Sequence, residues 1–323
     1  MRYDERDQKS ENVEDRRGQG GGGFPFPMGG GGGGGMGLKL PLPLMIIAGI
    51  IMFMLGMNPL DILRGPPGGG PGGGGVSFPD LPRAPSVDPG RGQANIPGLP
   101  GQRVPGDKSS DELGDFVRYV MRDTEIVWDK VFNSVGQQYR KPKLVLFTGA
   151  TRTACGTGQS AMGPFYCPAD EKIYIDLAFY EELRRRFRAP GDFAQAYVIA
   201  HEVGHHIQNI LGIAERVQRA KQSMSERQAN QLQVRMELQA DCFAGFWARM
   251  NHQLHNRLEP GDIEEGLTAA AAIGDDMIQR QATGRVMPES FTHGSSEQRQ
   301  RWFRQGMQAQ NLQQCDTFNI ANP

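Results

Sequence analysis

The sequence has no excess of charge of either sign. Its 323 residues include 35 Lys and Arg against 36 Asp and Glu, which gives a formal net charge of −1. Proteins that bind nucleic acid through its phosphates are usually strongly basic, so no nucleic-acid partner is expected. Cysteine is also scarce, and no two of the four cysteines stand in the CxxC spacing typical of cysteine zinc sites. The sequence therefore disfavours a nucleic-acid-binding protein and a zinc site built from cysteines.

The four cysteines are an even number, which is typical of proteins in oxidising compartments. Cys155 and Cys167 bracket a short Gly-containing loop and are the predicted first pair. Cys242 and Cys315 would then form the second pair. Four cysteines allow three connectivities, so this pairing remains a prediction.

Glycine and proline are concentrated in the first third of the chain. Residues 1–110 hold 28 of the 44 glycines and 15 of the 22 prolines. Such a composition without a collagen period is typical of disorder. We therefore predict a disordered polar, Gly-rich tail over 1–37, a Gly/Pro-rich linker over 58–110 and one globular domain over 111–323.

One long apolar run interrupts this region. The 18 residues from Leu40 to Met57 carry no charge, which is close to the length needed to cross a bilayer. We predict a transmembrane helix over 38–57. A cleaved signal peptide is the alternative, but 39 residues precede the run and no good cleavage site follows it. Basic residues lean to the N-terminal side, which predicts a single-pass membrane protein with the N-terminus inside and the domain outside.

The domain is predicted to be helix-rich α+β with a small sheet. Apolar residues recur at helical spacing over 111–139, and Lys143–Gly149 and Lys172–Leu177 are typical of short strands. The remainder is predicted to form helices over 178–187, 192–212, 224–256, 260–281 and 295–309.

The helix predicted over 192–212 contains the motif HExxH, as His201-Glu202-Val203-Gly204-His205. Residues four apart lie on one face of a helix, so two imidazoles can bind one zinc ion together. A catalytic zinc site needs a third protein ligand and leaves one position for water. Further along the chain, Glu237 and Asp241 are four apart on another predicted helix. Glu237 would complete a His₂Glu site, and Asp241 would accept the second N–H of a ligand histidine.

The chain resembles the neutral zinc metallopeptidase family of bacterial membrane-anchored proteins, over about 141–318. The matching segments include TACGTGQSAMGPFYCPADEKIYIDLAFYEEL, AHEVGHHIQNILGI, ELQADCFAGFWA and FTHGSSEQRQRWFRQG. This family belongs with the gluzincins, whose pattern is HExxH followed by ExxxD. The resemblance implies a zincin-like domain with Zn²⁺ bound by His201, His205 and Glu237. It also implies that Glu202 is the general base and that Asp241 accepts a hydrogen bond from a ligand histidine.

The expected reaction is hydrolysis of a peptide bond in a protein or peptide substrate near the membrane. Glu202 would take a proton from the attacking water and pass it to the leaving amine. His293 is the predicted donor to the oxyanion, with Arg299 as a second candidate. Two alternatives stay open: a non-catalytic membrane-tethered zinc-binding module, and a zinc hydrolase of a non-peptide bond such as a cell-wall amide. Nothing in the sequence predicts the oligomeric state.

Overall fold

The computed structural model describes residues 1–4, 6–18, 110–320 and 323. The predicted transmembrane helix at 38–57 and nearly all of the predicted linker lie outside these residues. Among the described helices, none combines the length and the apolar character that crossing a bilayer requires. The described residues form a helix-rich α+β fold with a small sheet, as the sequence predicted.

The main sheet has four strands in the order β1-β2-β6-β5. Three run in parallel: β1 (Val13–Asp15), β2 (Lys143–Phe147) and β6 (Lys172–Asp176), whereas β5 (Phe165–Cys167) is antiparallel to β6. After Lys143, the residues of β2 are all apolar and all buried, as is typical of strands covered on both faces. Leu144 and Leu146 belong to the main core, while Val145 and Phe147 face a second, smaller cluster.

A two-stranded hairpin covers the side of that smaller cluster. It consists of β3 (Ala150–Thr153) and β4 (Gly156–Gln159). Gly158 lies so close to Phe165 that a Cβ there would stand 2.4 Å from the ring. A disulfide between Cys155 and Cys167 joins the hairpin to β5, which confirms the first predicted pair.

Eight helices are present in the described chain. They are α1 (Ser110–Ser134), α2 (Ala178–Arg185), α3 (Asp192–Ile210), α4 (Ile213–Lys221), α5 (Glu226–His255), α6 (Asp262–Ala272), α7 (Asp275–Thr283) and α8 (Ser296–Gln308). Helices α5 and α8 each begin with a capping box, on Ser225 and Ser295. Each box satisfies backbone N–H groups that a helix start leaves without partners.

Helix α5 crosses α3 and α8 at glycines, and these crossings position the site described below. A Cβ on Gly204 of α3 would stand 3.0 Å from the backbone of Ala240. On the other side, a Cβ on Gly306 of α8 would stand 1.9 Å from the carbonyl oxygen of Cys242, and a Cβ on Gly245 would stand 2.1 Å from that of Phe303. The absence of side chains at these glycines allows the helix backbones to approach closely. The second disulfide, Cys242–Cys315, confirms the other predicted pair.

The predicted disordered tail over 1–37 is wrong for its first half. Residues 1–18, apart from the undescribed residue 5, pack on the domain, and β1 adds a fourth strand to the main sheet. The polar composition suggested disorder, but side chains of this segment pair with charged groups of the domain, as Asp7 does with Arg257.

The predicted helix over 260–281 is in fact two helices, because the chain breaks at Gly274. A Cβ on Gly274 would stand 2.5 Å from the backbone nitrogen of Ser296.

Candidate metal centre

His201 and His205 lie one turn apart on α3, and both side chains are largely buried. In each ring, Nδ1 has a hydrogen-bond partner. The Nδ1 of His201 is 2.8 Å from Asp241 Oδ1, and the Nδ1 of His205 is 2.9 Å from Gln208 Oε1. Each acceptor selects the tautomer with its proton on Nδ1, so both Nε2 atoms are left to serve as ligands.

Glu237 reaches the same point from α5. Its Oε2 lies 3.3 Å from Nε2 of His201 and 3.4 Å from Nε2 of His205. The other carboxylate oxygen, Oε1, accepts a hydrogen bond of 2.7 Å from Gln233 Nε2. The three side chains offer ligand atoms that all lie within 4.8 Å of one another.

These distances fit a zinc ion. A tetrahedral ion with bonds of about 2.0–2.1 Å separates its ligand atoms by about 3.3–3.4 Å. The donor set of two imidazole nitrogens and one carboxylate oxygen is typical of zinc sites that keep a position for water. The residues present therefore fit the metal that the sequence predicted, and the close approach of Gly204 to Ala240 brings the two helices near enough for it.

Asp241 lies behind His201 and is fully buried. Its carboxylate accepts hydrogen bonds from His201, from Tyr197 Oη at 2.5 Å and from two nitrogens of Arg299 at 2.9 Å each. Burial alone would raise the pKa of Asp241, but the positive charges of Arg299 and His201 lower it to about 2. Asp241 is thus an ionised acceptor that fixes the orientation of a candidate ligand.

The three candidate ligands form a charged cluster in the absence of metal. Burial opposes charge on each, yet the attraction between them is stronger. The nearby imidazoles hold the pKa of Glu237 well below its usual value, although burial would raise it. The Glu237 carboxylate in turn raises the pKa of His205 to about 9 and contributes to the raised pKa of His201. A divalent cation can replace the proton that His205 carries at neutral pH.

Glu202 follows the first histidine on α3 and is buried, with 7% of its surface exposed. Burial raises the pKa of its carboxyl group, and the two imidazoles partly oppose that effect. A carboxylate with a raised pKa at the edge of a metal centre suits proton transfer near neutral pH.

His293 lies in the loop before α8 and is about one-third exposed. Asp275 holds this loop by accepting backbone N–H bonds from Thr292, His293 and Gly294, and its Oδ1 lies 3.1 Å from Nδ1 of His293. Burial favours the neutral ring, but the Asp275 carboxylate outweighs it and raises the pKa of His293, with a contribution from Glu237. The role of His293 as oxyanion donor remains a prediction.

Arg299, the other candidate for the oxyanion donor, does not fit that role. Its side chain is only 2% exposed, and its guanidinium contacts Asp241, Tyr197 and the carbonyl oxygen of Ile273. The buried Asp241 carboxylate holds it there because an unpaired buried charge is costly.

Sequence reasoning missed three residues that hold two of the candidate ligands and Asp241 in place. Tyr197 contacts Asp241, Gln208 contacts His205, and Gln233 contacts Glu237. Each lies three or four residues from a candidate ligand on the same helix. That spacing was available in the sequence as a signal, because such residues share a helix face.

A second group of carboxylates, Asp192, Asp262 and Glu265, also lies within metal-binding spacing. A cation of the chain itself occupies this group. The amino group of Met1 is 2.6 Å from Asp192 Oδ1 and 3.2 Å from Asp262 Oδ2. The ammonium group is already the cationic partner of Asp192 and Asp262, so this group is not a second candidate metal centre.

Comparisons with known proteins agree with the geometry. The chain is 52% identical over 210 residues to the YpfJ protein of Escherichia coli K12, covering 65% of this chain and 73% of that protein. It is 44% identical over 204 residues to the Rv2575 protein of Mycobacterium tuberculosis H37Rv, covering 60% and 68%. No solved structure matches it. A family profile matches residues 91–318, which include every candidate ligand, and its description reads "Putative neutral zinc metallopeptidase". The chain belongs to this zinc metallopeptidase family.

Proposed function

We propose that the protein is a zinc-dependent peptidase that hydrolyses peptide bonds with Glu202 as general base. The supporting observation is that Glu237 Oε2 lies 3.3 Å from His201 Nε2 and 3.4 Å from His205 Nε2, next to the buried carboxylate of Glu202. Zinc, when bound, supplies a Lewis acid that activates water and polarises a carbonyl group.

Side chains of the protein would bind the metal, transfer the proton and stabilise the oxyanion. His201, His205 and Glu237 hold the metal, and Asp241 keeps the His201 ring in its ligand orientation. Glu202 takes a proton from the attacking water and gives it to the leaving amine. His293, held by Asp275, donates a hydrogen bond to the oxyanion.

The test compares the wild-type protein with Glu202→Gln, which has nearly the same shape but cannot take a proton. We expect unchanged zinc content and a fall in casein or peptide cleavage on the order of 10³-fold, within the usual range for a general base. Glu226→Gln, on an exposed first turn of α5, is the matched control and should cleave like the wild type.

Each alternative has its own outcome. Zinc binding without cleavage of any peptide by the wild type would favour a non-catalytic zinc-binding module. Cleavage of a cell-wall amide but not of peptides, lost in Glu202→Gln, would favour the hydrolase of a non-peptide bond. Equal cleavage by wild type and variant would remove Glu202 from the mechanism.

We further propose that the domain acts at the outer face of the bacterial cytoplasmic membrane, on protein or peptide substrates close to that surface. Two disulfides support an oxidising compartment. The apolar run Leu40–Met57 supports attachment to the bilayer. Fractionation of cells that express the chain with and without residues 40–57 tests the attachment, and recovery of both forms in the soluble fraction would contradict it.

A further inference from the structure

Residues 1–18 are integrated into the domain that begins at Ser110. In the parallel pairing of β1 with β2, the N–H of Leu144 donates to the carbonyl of Asn12, and the N–H of Arg16 donates to that of Leu146, each at 2.8 Å. Val13 is 6% exposed and belongs to the main core. The segment therefore completes the sheet.

The segment also supplies partners to a buried charge of α1. Glu125 is 2% exposed, and its carboxylate accepts hydrogen bonds from the Ser10 hydroxyl and, at 2.9 Å, from Asn12 Nδ2. A buried carboxylate is costly without such bonds. Further along the segment, Asp7 accepts two hydrogen bonds of 2.7 and 2.9 Å from Arg257. These contacts make undocking of residues 1–18 unfavourable.

The two chain ends that flank residues 19–109 lie close together. Arg17 Nη2 is 3.1 Å from the position that a Cβ on Gly114 would take. Ser110, where α1 begins, is about 6 Å away from Gly114 along that helix at 1.5 Å per residue. Residues 19–109, which contain the apolar run, thus leave and rejoin the domain at neighbouring points of its surface.

We propose that residues 1–18 and the domain lie on the same side of the membrane, and that Leu40–Met57 attaches to the bilayer without crossing it. A single crossing would place about 30 Å of hydrocarbon between β1 and β2, which are hydrogen-bonded neighbours. Two crossings would need about 40 apolar residues. The apolar run has 18 residues and is the only such stretch between residues 19 and 109.

This arrangement differs from the single-pass topology that hydropathy predicted. It makes the membrane-attaching region an insertion in the domain. This arrangement rests on the proposed attachment to the bilayer, but it is independent of zinc binding and of peptide hydrolysis.

The first test labels matched cysteines in the full chain in intact cells. Gln8→Cys and Gln137→Cys each place a thiol at an exposed position, one in the N-terminal segment and one in the domain. A membrane-impermeant maleimide is added before or after lysis, with the parent chain as background and the outer membrane made permeable. We expect both positions to label before lysis, or both only after it. Labelling of one before lysis and of the other only afterwards would overturn the proposal.

The second test asks whether the segment is docked in cells. Lys9 Nζ lies 2.7 Å from Asp115 Oδ2, and both side chains are exposed. The double variant Lys9→Cys/Asp115→Cys, with a protease site placed within residues 65–107, is treated in cells with a short bis-maleimide. After lysis and proteolysis, the two halves should stay joined in the double variant and separate in each single variant. Separation in the double variant, at unchanged thermal stability, would overturn the proposal.

Discussion

Arg299 donates two hydrogen bonds to Asp241, from Nε to Oδ2 and from Nη2 to Oδ1, each 2.9 Å long. This pair connects α8 to α5 in the core. Through the Asp241 carboxylate it also fixes His201 on α3. The orientation of a candidate metal ligand therefore depends on a residue 98 positions further along the chain.

Asp241→Asn should weaken both zinc binding and folding. The amide keeps the shape but not the charge that holds His201 and neutralises Arg299. Loss of such a partner behind a ligand typically costs 10–100-fold in metal affinity, and leaving Arg299 without a counter-charge costs about 3–5 kcal/mol. Zinc competition titrations and thermal unfolding measure the two effects. Wild-type affinity and stability in the variant would show that the ion pair has no influence on the centre.

His293→Gln should slow peptide hydrolysis about 10²–10³-fold, since the loss of one oxyanion donor has that effect in other hydrolases. Zinc content should stay at the wild-type level because His293 is not a proposed ligand. His252→Gln, on the far part of α5, serves as control and should retain activity. A variant that keeps its full rate would leave His293 with only its structural bond to Asp275.

Zinc affinity should rise steeply with pH between about 6.5 and 9. In the metal-free protein the Glu237 carboxylate raises the pKa of His205 to about 9, and the pKa of His201 is raised as well. Each imidazole must lose its proton before it binds metal, so affinity should increase by about tenfold per pH unit for each proton released. Competition titrations at pH 6.5, 7.5 and 8.5 measure this slope, and a flat profile would contradict it.

The raised pKa of His205 has the opposite effect on the stability of the metal-free protein, which should fall as the pH rises. A raised pKa in the folded state stabilises the protein below the unfolded value of 6.5, and this contribution disappears as pH rises through 9. The melting temperature of the metal-free protein should therefore fall over this range, while the increment given by zinc grows. Melting curves with and without a chelator at each pH provide the comparison.

Gly306→Ala should destabilise the protein by about 1–3 kcal/mol, the usual cost of overpacking. The added methyl would meet the carbonyl oxygen of Cys242 and force α8 away from α5. Zinc affinity should fall too, because α8 carries Arg299. Arg304→Ala, on the exposed face of α8, is the matched control and should change stability by no more than about 0.5 kcal/mol. An unchanged melting temperature in Gly306→Ala would contradict the close crossing.

The sequence alone predicted much of the domain. Helical periodicity gave most helices to within a few residues, and β2 and β6 followed from their apolar patterns. The HExxH spacing brought His201 and His205 together because residues four apart share a helix face whatever surrounds them. Gly274 was visible in the sequence, but only its close approach to Ser296 explains why the segment 260–281 forms two helices instead of one.

Tertiary structure decided what depends on separate segments. Whether Glu237 faces the histidines is set by the closeness of two helices at Gly204, and the position of Arg299 is set by a second crossing at Gly306. The N-terminal residues show the same limit most clearly. Val13–Asp15 is too short to show an apolar pattern, and its place in the sheet depends on backbone hydrogen bonds to β2 and on the burial of Val13 in the core. Local periodicity records which face of an element is apolar, whereas contacts between distant segments depend on how those faces meet.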